Sequence, residues 1–118
     1  MASIFEKYGG FVTVSKIVMD FYDRVLDSDT AGPFFDDVDM RALVDHQTKF
    51  IASIMGGPAS YTNDQLERVH ANLGISEEAF DEAVALLRET FEDFDLDESD
   101  IAAVVQDVVA RKNFIVVR

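Results

Sequence analysis

Glycine sets the tightest constraint on this chain. Gly9-Gly10, Gly32-Pro33, Gly56-Gly57-Pro58 and Gly74 divide the 118 residues into segments, and the apolar residues between them recur with helical rather than alternating spacing. Such a chain folds as a single all-α domain over residues 1–118, just long enough to bury one core. From Phe11 to Asp27 an apolar stripe runs through Val14, Ile17, Val18, Phe21 and Val25, with Tyr22 and Leu26 at its edge. Asp39 caps a second helix from Met40 to about Met55, and Asn63 or Thr62 caps a short one ending at Gly74. A third helix starts at Ser76 and buries Phe80, Ala83, Val84, Leu87 and Phe91. A fourth starts at Asp97 and buries Ile101, Val104, Val105 and Val108. Acidic residues at these starts, as in Glu77-Glu78 and Glu98-Asp100, complement the helix dipoles.

Composition removes several classes of function. Ten Lys+Arg against 23 Asp+Glu leave a net charge of −13, which repels a phosphate backbone, so no nucleic-acid partner is expected. The same charge keeps a surface hydrated and fits a solubility or high-salt adaptation. The absence of Cys excludes a disulfide framework, a thiol nucleophile, Cys-ligated zinc and an iron–sulfur cluster. With 48% apolar residues, ten of them Phe, the chain has ample material for a core. The segment MASIFEKYGGF carries neither a basic n-region nor an apolar h-region, and no stretch approaches the roughly 18 to 20 apolar residues of a membrane span. A cytoplasmic monomer without a membrane partner is therefore expected.

The informative irregularity lies in the second helix. With Leu43 as zero, His46 falls at about −60°, Gln47 at about 40°, Phe50 at about −20° and Ile54 at about 20°. A His and a Gln thus sit within an apolar stripe, while Arg41, Asp45, Thr48 and Lys49 take the other side. The only other His repeats the pattern: Leu66, Val69, His70 and Leu73 are spaced i, i+3, i+4, i+7, so His70 also points inward. Taken singly, each His reads as a hydrogen-bonded core residue. Zinc needs three or four ligands, and these apolar faces offer no carboxylates to join the pair. Haem needs one or two axial His, an aromatic apolar slot and a polar group facing a bound ligand, all of which this chain has.

These residues resemble the group I truncated haemoglobins, short globins with a two-over-two helical sandwich around haem b. The likeness spans nearly the whole chain. It rests on Tyr8-Gly9-Gly10, Asp20-Phe21-Tyr22-Asp23-Arg24-Val25-Leu26, Pro33-Phe34-Phe35, Val38-Asp39-Met40, His46-Gln47, Gly56-Gly57-Pro58, Tyr61-Thr62 and Val69-His70 through Leu73-Gly74-Ile75. The resemblance implies that His70 is the proximal iron ligand and that Phe35 packs against the haem near the iron. It implies Tyr22 and Gln47 as distal hydrogen-bonding residues, Leu43 at the distal gate, and Phe50 and Tyr61 in the haem pocket. His46 matches a position that in some relatives supplies a second iron ligand and in others stays near the haem edge, and both roles remain open for it. Two departures stand out. Ala42 replaces a basic residue that often lies near a propionate, leaving Lys49, Arg41 or Arg68 as alternatives. The tail Asn113 to Arg118 has no His that could attach to a vinyl group, so covalent haem is not expected.

The function so implied is reversible binding of O2, NO and CO, with oxidation of NO by bound O2 as the reaction and an unidentified reductase restoring the iron. An alternative is a bis-histidyl electron-transfer or redox-sensing protein with His46 in the sixth site. A third reading, a haem-free acidic helical module for protein partners, rests on the charged surface alone.

Overall fold

The computed structural model describes residues 3–36, 38–57, 74–112 and 115–116. Among them are the helices α1 (Ile4–Lys7), α2 (Gly10–Asp27), α3 (Met40–Ile54), α4 (Glu77–Asp93) and α5 (Glu98–Val109), with a 3-10 turn over Gly32–Phe35. No strand occurs among the described residues.

Each long helix begins where its sequence supplies a stop or a cap. Asp39 accepts a hydrogen bond from the Ala42 amide, and Ser76 accepts one from the Ala79 amide. Such caps satisfy amides that a helix start leaves unpaired and contribute about 1 kcal/mol each. Helix α2 starts differently, on Gly9 and Gly10 with φ of 103° and 72°. Only glycine takes two successive left-handed conformations at low cost, and the tight joint lets α1 fold back. Ser3 caps α1 from the Glu6 amide, and the Phe5 amide donates to the Met55 carbonyl at 3.0 Å, tying α1 to the end of α3. There Gly57 permits a close approach, since a Cβ at that position would lie 2.7 Å from the Phe5 ring.

Helix α2 is the hub. It packs against α3 on one side and α4 on the other, while α4 packs on α5 and α5 reaches α3. Two helix pairs thus face one another across a core that includes Val14, Ile17, Val25, Phe91, Ile101 and Val104. Polar clamps hold the frame from outside. Arg24 on α2 binds Asp93 and Glu89 on α4 as well as its neighbour Asp20. Tyr8 donates to Asp100 at 2.6 Å and accepts from the Asp97 amide at 2.9 Å, and Lys7 pairs with both of those carboxylates. The bonds from Lys7 and Tyr8 hold the Asp100 carboxyl below the usual carboxylate range.

The expected bounds of α2 and α3 and the expected starts of α4 and α5 hold within a residue. Helix α1 and the 3-10 turn were not anticipated, being too short to show a period. The expected short helix ending at Gly74 lies outside the described residues.

Candidate functional site

The two helix pairs enclose a narrow apolar cleft with a cavity of about 80 Å³. Helix α2 contributes Val18, Phe21, Tyr22 and Val25, the 3-10 turn contributes Phe35, and α3 contributes Gln47, Phe50 and Ile51. The facing wall comes from Phe80, Val84 and Leu87 of α4, where Ala79 and Ala83 leave width, and from Val108 and Ile115 at the chain's far end.

Among the described lining residues only Tyr22 and Gln47 carry a polar side-chain atom. Both are buried, at 6% exposure each. The Tyr22 ring meets Phe35 edge to face at 5.9 Å and Phe21 at 4.8 Å, which fixes its plane. Gln47 Nε2 is buried with no hydrogen-bond partner among the described residues. An orphaned amide in an apolar wall costs about 1 to 3 kcal/mol, so its presence points to a ligand atom that accepts its hydrogen.

Two cations lie over rings that line this cleft, with no local sequence pattern to announce them. The Arg111 guanidinium lies 5.8 Å from the centre of the Phe50 ring and the Lys112 ammonium 5.7 Å from that of Phe80. Lys112 also pairs with Glu77 at 2.5 Å. Of the cations considered for propionates, Lys49 is bound to Asp45 at 3.2 Å, Arg41 lines a separate groove between α2 and α3, and Arg68 lies outside the described residues. No group of three or more His, Cys, Asp or Glu that could hold a metal ion occurs among the described residues.

The structure thus brings Tyr22, Phe35, Gln47 and Phe50 into one cleft. His70 and Tyr61 lie outside the described residues. Leu43 is buried but does not line the cleft. His46 requires a correction: its side chain is exposed and is not part of the cleft wall, so it does not point inward with Gln47. The reason is the centre of the helical wheel. Ile51, at about 80° from Leu43, is buried and lines the cleft, which moves the inward face toward Gln47 and leaves His46 about 100° or more from the Gln47–Ile51 side. Tyr22 is likewise deeper than its edge position suggested, while Phe21 is only half-buried.

The family model for bacterial-like globins matches residues 3–115. A group 1 truncated haemoglobin, GlbN, from Synechocystis sp. is 34% identical over 108 residues, covering 88% of this chain and 87% of that protein. The chain belongs to the group 1 truncated haemoglobins. Its fold agrees with that assignment. The 2/2 haemoglobin from Synechococcus sp. PCC 7002, solved in the cyanomet state with covalently attached haem, superposes with a TM-score of 0.88 at 28% identity, over 99% of this chain and all of that one. The ferric truncated haemoglobin from Tetrahymena pyriformis gives a TM-score of 0.87 at 23% identity, over 99% and 100% of the two chains. This truncated haemoglobin is accordingly an all-α, two-over-two globin that binds haem and, on its iron, small gases such as O2. The cleft suits that cofactor: its walls are aromatic and aliphatic, and its two polar groups include an amide with no acceptor among the described residues. No helix among the described residues is long and apolar enough to cross a membrane.

Proposed function

We propose that the cleft holds haem b without a covalent bond, with His70 as the proximal ligand, and that Tyr22 and Gln47 hold a bound diatomic gas by hydrogen bonds. The observation that carries this reading is the polar pair itself, two donors in an otherwise apolar cleft, one of them orphaned. When bound, haem b supplies an iron that takes O2, NO or CO reversibly and supports the oxidation of NO by O2 to nitrate. The chain's own residues set how long a gas stays. Tyr22 Oη and Gln47 Nε2 act as donors to the polar end of O2, and the low dielectric around them strengthens such bonds. The ring of Phe35 holds the Tyr22 ring in place, and Phe50 and Leu87 keep the surroundings dry. Nitrate formation from NO and O2 consumes one electron per turnover, which an outside reductase in the cytoplasm supplies.

The exposed position of His46 favours this gas-binding reading over a bis-histidyl iron, since His46 would have to turn about the axis of α3 to enter the cleft. The test is the rate of O2 release after Tyr22→Phe. Loss of a donor worth about 1.4 kcal/mol or more raises that rate at least about tenfold, and an unchanged rate removes Tyr22 from the distal network.

A further inference from the structure

The outer face of α2 carries an apolar line that the fold leaves uncovered. Val12, Met19 and Leu26 are 68%, 55% and 45% exposed. They stand seven residues apart, so they share a strip of about 40° of arc that runs about 21 Å along the helix. Lys16 and Asp23 flank this strip on the same side, at about 60° and 40° from Met19. Both are exposed, and neither forms an ion pair among the described residues, as is also true of Arg41 and Arg111.

This pattern is complementary to itself. A two-fold axis passing beside Met19 and perpendicular to α2 sets a second α2 antiparallel to the first, with Met19 against its own copy. Positions equally far from Met19 then face each other, so Val12 meets Leu26 of the other copy and Leu26 meets Val12. Such an axis keeps each flank on its own side. Lys16, three residues before Met19, therefore lies within about 1.5 Å along the axis of Asp23 of the other copy, four residues after it. Two opposite-charge pairs result, bordering three apolar contacts.

We infer that α2 is the interface of a weak antiparallel homodimer, in place of the monomer expected from the sequence. Two helices packed at 8 to 10 Å cover far less than the roughly 2,000 Å² and more of permanent interfaces, so the dimer dissociates on dilution. The −13 charge of each copy opposes association at low salt. At about 0.15 M ionic strength the Debye length of about 8 Å screens that repulsion more than it screens pairs in contact.

Sedimentation velocity of the haem-loaded chain from about 10 µM to about 1 mM at that ionic strength tests the inference. The average mass should climb from one chain toward two. Met19→Lys should raise the dimer Kd at least about tenfold, and Lys16→Asp should weaken association by placing like charges opposite one another. Exchanging both charges, Lys16→Asp with Asp23→Lys, should restore it. All of these positions are exposed, and an unchanged helical circular dichroism signal checks that each variant is folded. A single-chain mass at every concentration overturns the dimer. So does a Met19→Lys variant that associates like the native chain, or a double exchange that fails to recover what Lys16→Asp lost.

Discussion

Replacing Gln47 with Leu should move two properties of the protein in opposite directions. The Gln47 amide is buried in an apolar wall with no partner for Nε2 among the described residues. Leu removes that penalty, about 1 to 3 kcal/mol, and keeps nearly the same bulk at a position of 6% exposure. Water reaching the cleft satisfies part of the amide in the haem-free state, so a gain of about 1 kcal/mol is the reasonable expectation. For a domain of this size that raises Tm by about 4 °C. In the haem-loaded, gas-bound protein the same substitution deletes a donor, and a loss of about 1.4 kcal/mol quickens O2 release about tenfold. Urea unfolding of the haem-free variant and stopped-flow release of O2 from the loaded one give the two numbers. A haem-free variant less stable than the native protein would show that Gln47 is satisfied inside the cleft. An unchanged O2 release rate would show that it does not face the gas, and either result refutes the reasoning.

Two further substitutions probe the frame and the second histidine. Asp100→Asn should lower Tm near neutral pH, because Lys7 and Tyr8 favour the charged carboxylate and hold its folded pKa below the unfolded value. That contribution is complete above the ordinary carboxylate pKa of about 3.9 and fades as pH falls through the folded value, so the Tm gap should narrow from about pH 6 to about pH 3. A gap that stays constant with pH would assign the effect to packing instead. His46→Leu should leave the ligand-free ferrous spectrum and the CO association rate unchanged, given the exposed side chain. A native low-spin six-coordinate spectrum that becomes five-coordinate in the variant, with faster CO binding, would establish the bis-histidyl alternative.

Much of this arrangement is written locally. Asp39 and Ser76 state their helix starts in the chain, and the i, i+3, i+4 spacing of Val14, Ile17, Val18 and Val25 states which face of α2 is inward. Gln47 was legible as a polar residue in an apolar stripe. The exact centre of a helix face is not legible in the sequence. His46 lies near the margin of the α3 stripe, and only the packing of Ile51 against the cleft decides that it faces out. Contacts between distant parts of the chain were also beyond reach. Ile115 closes one end of the cleft and Arg111 lies over Phe50, about sixty residues apart in sequence, without any local pattern to announce them. Helix α1 depends on a Ser3 cap, a Phe5 tie to Met55 and a Tyr8 clamp on α5, each obvious only once the partners are in place.

Haem held in this cleft by His70 is tested most directly by the absorption spectrum of His70→Ala. Purified after haem reconstitution, with and without added imidazole, the variant should lose tightly bound haem and its Soret band, and imidazole filling the vacated space should restore both. A variant that keeps native haem affinity and an unchanged Soret band without imidazole would contradict the account, since some other residue would then hold the iron.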